Sequence, residues 1–310
     1  VKLYVLRRSA LLVPLLLGIT FITFTLTKSL PGDPVYTLAG ERASTETVEK
    51  IRKEIGSDKG LASQYAGYIS LLARGEMGRS YYTNRKVADD LRGKFPHTLV
   101  LALSAVLMAF PLGVLLGFTA ALRRNGIADR LISAVSVAGL STPVFWSGLM
   151  LMLLFSLRLK LFPPSGTGGL RYLFLPSLTL ALPAAATLSR VTRVTVLDIM
   201  GTAYIRTARA KGMKMAKINI VHVMKNALIP IITVTGLDLG SYLNGAVLTE
   251  TIFGWDGIGR YAMEGIMKRD YPVIMGCIVV GTVVVVLINF LVDLLYFLVD
   301  PRVRVHGSDR

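Results

Sequence analysis

The chain has 310 residues, 53% of them hydrophobic and 17% charged, and carries a net charge of +16. A soluble domain is about 45–50% apolar and about 25% charged, so a mean hydropathy of +0.57, with the charges bunched between long uncharged runs, excludes one large soluble core and points to membrane spans. Cys277 is the only cysteine and sits in an apolar run, so no intrachain disulfide or multi-cysteine metal site can form, and His97, His222 and His306 have no ligand spacing.

Six uncharged or nearly uncharged runs follow in chain order: residues 9–27, 98–122, 131–157, 172–189, 226–249 and 271–292. At 1.5 Å per helical residue, about 20 residues cross a hydrocarbon core about 30 Å thick, so each run is long enough to span. The first follows Arg7 and Arg8 as a signal peptide would. Its length and the lack of a small-residue cleavage site predict an uncleaved first span. The fifth contains one acid, Asp238, which must face water or a partner.

With the N-terminus inside, segments 1–8, 123–130, 190–225 and 293–310 are cytoplasmic and hold 17 Lys and Arg, against 6 in the short outer loops 158–171 and 250–270. That asymmetry predicts an N-in, C-in orientation and accounts for the basic excess without nucleic acid. The organisation expected is a first span over 1–27, an external helical loop domain over 28–94, a five-helix core over 95–292 containing the cytoplasmic segment 190–225, and a tail over 293–310. In the external domain, Ser44 is placed to cap a helix running to Ile55 and stopped by Gly56, with Val48, Ile51 and Ile55 on one face. A second amphipathic stretch covers 61–73 and ends at Gly75. In the spans, Gly113 with Gly117 and Gly236 with Gly240 are spaced for close helix approach, while Pro111, Pro143, Pro176 and Pro183 interrupt helices.

Segment 190–225 carries eight basic residues and one acid, more chain than a turn needs. Its centre, YIRTARAKGM from Tyr204 to Met213, favours a short helix broken at Gly212. The interleaved Ile205, Met213, Met215, Ile218, Ile220 and Val221 suggest an apolar ridge able to dock in a partner's groove; an anchoring basic loop is the other reading. The outer loop 250–270 places Gly254, Gly257 and Gly259 around Trp255, with Phe253 before it. This suits either a tight gate turn or an interfacial turn with an aromatic anchor.

YIRTARAKGM with NALIP after it resembles the cytoplasmic coupling loop of ABC importer permeases, in particular the dipeptide/oligopeptide/nickel branch. LPGDP (30–34), RGEMGRS (74–80), FPHTLVLAL (95–103), STPVFWSGL (141–149), LFPPSG (161–166), LPSLTLALP (175–183), ETIFGWDGIGR (250–260), KRDYP (268–272) and LVDLLYFLVDPRVR (291–304) resemble the same branch, in order over nearly the whole chain. Arg206-Thr207-Ala208 stand where the broad family has Glu-Ala-Ala, which agrees with this branch. Asp256 stands where the branch often has Pro, and Asp238 where an amide is expected.

The resemblance implies an all-α integral membrane protein with the six-helix fold of type I importer permeases, in a bacterial or archaeal cytoplasmic membrane. It implies pairing with a second, homologous permease subunit, two cytoplasmic ATPase subunits and an extracytoplasmic substrate-binding protein. Peptide would be the substrate, with a nickel or metal-chelate importer as the alternative. No GxxxxGK[ST] string occurs, so ATP and magnesium would sit on the partners and this chain would be no enzyme and hold no cofactor. Tyr204, Arg206, Ala208, Arg209, Ala210 and Gly212 would couple to the ATPase. Glu250, Phe253, Gly254, Trp255, Gly257 and Gly259 would form an outer gate and docking surface for the binding protein. Asp238 would line the path or bond to another helix. A self-sufficient channel or secondary transporter would require charge relays or paired half-helices, and a membrane-embedded enzyme would require clustered acid, base or metal ligands; the sequence displays neither.

Overall fold

A computed structural model describes residues 14–26, 35, 44–54, 56–243 and 246–299. Every element among them is helical: α1 (Pro14–Leu26), α2 (Thr45–Glu54), α3 (Leu61–Ala73), α4 (Val87–Leu122), α5 (Ile127–Ser141), α6 (Val144–Arg158, π-helical from Met152), α7 (Leu170–Met200), α8 (Ala203–Ala210), α9 (Met215–Leu243, π-helical over Ile218–Met224), α10 (Val247–Ile252), α11 (Ile258–Lys268) and α12 (Tyr271–Val299). Helices α4, α7, α9 and α12 are long and apolar enough to cross a membrane, and α5 with α6 make a fifth such stretch if counted as one bent span. The first expected span is represented by α1 alone, since residues 9–13 and 27 lie outside the described residues.

The interruption expected at Pro143 in the span over 131–157 is present: α5 and α6 are bent by 101°. Proline lacks an amide hydrogen and drives the preceding residue out of the helical region, and Thr142 and Pro143 are both extended, with ψ of 124° and 135°. Pro176 and Pro183, in contrast, lie within the unbroken α7. The fourth and fifth helices also depart from the expected limits. α7 continues to Met200 and α9 begins at Met215, so helix occupies both ends of segment 190–225; α9 stops at Leu243, with α10 separate beyond it.

The chain divides into two compact units. The first comprises described residues within Val1–Thr98 and Asp256–Val286. Ser44 caps α2 as expected, its Oγ accepting from Thr47 N at 3.3 Å, and Val48 is buried; Ile55 lies outside the described residues. Tyr65 on α3 donates to Leu17 O on α1 at 3.0 Å and packs edge-on to Phe21. A core of Val87, Leu91, Ile258, Tyr261, Val273 and Cys277 joins the start of α4 to α11 and α12. Polar contacts tie the same elements. Asp270 accepts from Ser80 Oγ at 2.5 Å and Tyr81 N at 3.2 Å, and Tyr261 donates to Asp90 at 3.0 Å. Burial, and then that bond, push the Tyr261 phenol above its usual range, which keeps it a neutral donor. Asp256, the residue in place of the expected proline, pairs with Lys94.

The second unit comprises Leu99–Trp255 and described residues from Leu287 onward. Its central helix is α7, which packs against α5, α6, α8, α9 and α10. Its most apolar window is 67% buried, against 28% for α4 and 22% for α9, so α7 is the core and the other two leave apolar faces for lipid or partners. The expected close approach at Gly113 and Gly117 occurs between α4 and α7. A Cβ at Gly117 would lie 2.3 Å from Ser189 O and 2.7 Å from Thr192 Cβ, and one at Gly113 would lie 2.6 Å from Leu188 Cβ.

Candidate functional site

The basic segment folds into α8 and a turn. Gly212 has φ of +73°, a conformation that costs an L-residue about 1–2 kcal/mol. It closes the helix by donating to Arg209 O at 2.9 Å while Met213 N donates to Ala208 O at 3.3 Å. This paired bonding satisfies carbonyls the last helical turn leaves free. The turn signal at Gly212 therefore does what the sequence indicates.

Of the apolar ridge, only Ile205 and Ile218 face fully inward. Ile205 is 0% exposed and Ala208 8%, and both join a cluster with Val196, Ile218, Val223 and Ile231. Of the six expected coupling residues, Tyr204, Arg206, Arg209, Ala210 and Gly212 are exposed, whereas Ala208 is a packing residue that anchors α8 to α7 and α9. A helix of alternating charge and small apolar residues gives a 3.6-residue pattern that fixes one buried stripe, but sequence alone does not say whether its own chain or a partner covers it. Apolar side chains that do remain exposed follow the turn: Met215, Ile220 and Val221, beside Lys214 and Lys217. They are the exposed apolar part of this face. Tyr204 Oη also receives a bond from Asn226 Nδ2 at 3.3 Å, which links α8 to α9.

One pair at this end of the unit escaped the sequence reading. Arg193 on α7 grips Asp129 on α5 through Nε at 2.5 Å and Nη2 at 2.8 Å, and Asn125 N adds a bond to the same carboxylate at 2.9 Å. Asp129 is buried. A two-pronged, backbone-supported pair of this kind fixes geometry as well as charge. It locks α5 to the part of α7 that leads directly into α8. The only sequence signal was the presence of opposite charges near span ends, with nothing to indicate which would meet.

The expected gate residues are mostly interior. Glu250 is 0% exposed, Phe253 and Trp255 are 2% exposed, and Gly254 is half-buried. Phe253 O accepts from Gly166 N at 2.8 Å, Trp255 N donates to Glu250 O at 2.8 Å, and Trp255 packs among Leu101, Ala105, Leu173 and Leu180. Gly257 and Gly259 belong to the first unit, at the buried start of α11. These side chains bind the turn into its surroundings and do not form an exposed docking surface. Phe253 and Trp255 are large and apolar, which suits them to packing, and Glu250 is an acid buried with them.

Asp238 lies on α9, half-buried, and its Oδ2 is buried without a hydrogen-bond partner among the described residues. No group of three His, Cys, Asp or Glu suited to a metal occurs among those residues. The site elements therefore comprise an exposed basic helix-turn fixed to a core helix, a packed aromatic turn, and a lone acid in an apolar helix.

An all-helical chain with several membrane-crossing helices and such a basic helix-turn between two of them has the make-up of a transporter's membrane subunit. The chain belongs to the binding-protein-dependent transport system inner membrane component family, whose model matches residues 113–305, with the N-terminal component of such systems matching residues 1–102. It is thus a permease subunit of an ABC importer, an inner membrane component of a bacterial transport system. It is 40% identical to the di/tripeptide transport system permease protein DppB of Pseudomonas aeruginosa (strain UCBPP-PA14), over 97% of this chain and 98% of that one. It is 37% identical to the dipeptide transport system permease protein DppB of Escherichia coli (strain K12), with the same coverage. The glutathione transport system permease protein GsiC of Escherichia coli (strain K12) is 36% identical, also over 97% and 98%. Among solved structures, the inward-facing MetNI methionine ABC transporter aligns at a TM-score of 0.59 and 19% identity, over 68% of this chain and 96% of that chain. That likeness is one of fold.

Proposed function

We propose that this permease subunit forms half of the path of an ATP-driven importer for short peptides. The observation that carries the substrate class is the full-length similarity to permeases named for di- and tripeptides, dipeptides and glutathione; it favours peptide over a metal chelate. Six spans with both termini inside is the arrangement we adopt, supported by the basic residues in segments 1–8, 123–130, 190–225 and 293–310. In that arrangement the domain after the first span is external. The chain would pair with a second permease, rest on two ATPases that hold ATP and magnesium, and receive peptide from an external binding protein.

In this reading α8 and its turn insert into the ATPase surface. Arg206 and Arg209 supply polar contacts, Tyr204, Ala210 and Gly212 lie on the exposed side, and Ala208 with Ile205 transmits the push by packing rather than by contact. Closure of the ATPases on ATP would move α8, and the Asp129–Arg193 clamp would carry that motion to α5 and α7 as one body. The Glu250–Gly259 turn serves as a packed gate element, and docking of the binding protein falls to its exposed neighbours. The test is uptake into proteoliposomes containing both permeases and both ATPases, with the binding protein outside. ATP-dependent accumulation of a labelled dipeptide supports the reading. Accumulation of a nickel chelate with no dipeptide uptake refutes it.

A further inference from the structure

A cavity of about 810 Å³, half-open to the outside, lies wholly within the first unit. Clefts that hold small ligands measure about 300–1,000 Å³. Its apolar wall is assembled from Phe24 near the end of α1, Ile51 of α2, Leu71 of α3, Met77, and Tyr271 and Met275 at the start of α12. Helix α1 is apolar, and α12 is long and apolar enough to cross a membrane. With α1 read as the end of the first span, the cavity sits where the chain leaves the membrane and re-enters it on the same side. One wall is pinned in place: Asp270 accepts from Ser80 Oγ and Tyr81 N, and the Tyr81 ring packs edge-on to Tyr271 at 6.3 Å between centroids.

The polar groups of the cavity differ with depth. Lys59 and Arg79 are exposed. Arg79 donates from Nη1 to Asn84 O at 2.7 Å, which leaves most of the five N–H donors of its guanidinium. The Tyr68 hydroxyl is buried and has no hydrogen-bond partner among the described residues. Burial raises its pKa, so it stays a neutral donor, and a buried donor without an acceptor is costly. No Asp or Glu among the described residues lines the cavity.

These features call for an anion at the mouth, a neutral acceptor further in, and an apolar body. A free dipeptide brings an ammonium group for which the described lining holds no carboxylate, and inorganic phosphate leaves the apolar wall and Tyr68 unmatched. A phospholipid carries a phosphate, ester carbonyls and acyl chains in that order, and is at hand at the membrane edge. We propose that this cavity binds one membrane phospholipid, its phosphate at Lys59 and Arg79, an ester carbonyl accepting from Tyr68, and an acyl chain along Phe24, Leu71 and Met275. The placement beside the membrane rests on the six-span arrangement above and does not depend on which substrate is carried.

The test is equilibrium binding of labelled dioctanoyl phosphatidylglycerol to the full chain, purified in detergent with the subunits that accompany it and stripped of lipid. Gly67 lines the cavity and has open space at its Cβ position, so Gly67→Trp fills the site and is expected to abolish binding. Gly93 also has open space but lies outside the cavity, and Gly93→Trp is expected to bind as wild type does. Lys59→Glu with Arg79→Glu, both at exposed positions, should weaken binding at least about tenfold, as loss of a charge-assisted contact to an anion would. Dioctanoylglycerol, which lacks the phosphate, should bind more weakly by a similar factor, and neither inorganic phosphate nor Ala-Ala should displace the label. Equal binding by Gly67→Trp and wild type, equal affinity for the glyceride, or equal loss in Gly93→Trp overturns the proposal. Displacement by Ala-Ala overturns it too and makes the cavity a peptide site; displacement by phosphate alone makes it a plain anion site.

Discussion

The α4–α7 contact gives the sharpest test of the packing argument. Replacing Gly117 by Ala adds one methyl group whose carbon would lie 2.3 Å from Ser189 O, whereas ordinary contact begins at 3.4 Å. The obstacle is backbone in a continuous helix, so it cannot rotate aside, and the helices must part by about 1 Å. Overpacking of this kind costs about 3 kcal/mol at the upper end of its usual range, and the gain in helix propensity of Ala over Gly returns about 1 kcal/mol. A net loss of about 2 kcal/mol lowers the melting point of a unit this size by about 4–8 °C. Both tryptophans, Trp146 and Trp255, belong to the same unit, and Trp255 is packed against α4 and α7 residues Leu101 and Leu180, so tryptophan emission of the purified chain reports the transition. Gly67→Ala is the control: its Cβ meets nothing within 4 Å, and no loss is expected. If Gly117→Ala melts within about 1 °C of wild type, the close approach is not a constraint and the reasoning fails.

Three further outcomes follow from the site. Asp129→Asn leaves the Arg193 guanidinium without its counter-charge and should destabilise the chain by about 3 kcal/mol, the lower range for breaking a mostly buried pair; equal stability of mutant and wild type in a denaturation series would discount the clamp. Gly212→Ala should weaken the α8 turn by about 1 kcal/mol with transport retained, whereas Gly212→Pro loses both the φ of +73° and the N–H bond to Arg209 O, and should abolish uptake while ATP hydrolysis continues; full uptake by the proline variant would contradict the coupling role. Tyr261→Phe removes one hydrogen bond to Asp90 and should lower stability by about 1 kcal/mol, measurable as earlier thiol labelling of buried Cys277; unchanged labelling would show the bond to be idle.

Much of the architecture was legible because it follows from period and punctuation. Ser44 and Gly56 bracketed α2, Gly75 followed α3, and Gly113 with Gly117 marked the crowded helix pair before any neighbour was known. What sequence did not settle was direction and partner choice. Pro143, Pro176 and Pro183 look alike on paper, yet Pro143 breaks a helix and Pro176 and Pro183 do not, because α7 is held on most sides by other helices while the α5–α6 joint is exposed. The ridge of α8 was visible as a pattern, but whether Ile205 meets its own core or another protein depends on residues more than ten positions away, such as Ile218 and Val223. Trp255 and Phe253 read either as part of a gate turn or as an interfacial anchor, and for Trp255 it is the packing of Leu101 on α4 and of Leu173 and Leu180 on α7 that makes it interior. The Asp129–Arg193 clamp joins residues 64 positions apart, a separation no local pattern encodes.

The central claim is that this chain converts ATP hydrolysis on partner subunits into peptide import. The most direct measurement is the ATPase rate of the assembled complex in lipid, with its binding protein added empty and then loaded with dipeptide. Stimulation by the loaded form, abolished when Arg206 and Arg209 are both replaced by Glu, is the result the account predicts. A rate that ignores loaded binding protein, or a folded chain that does not copurify with the ATPases, would contradict it.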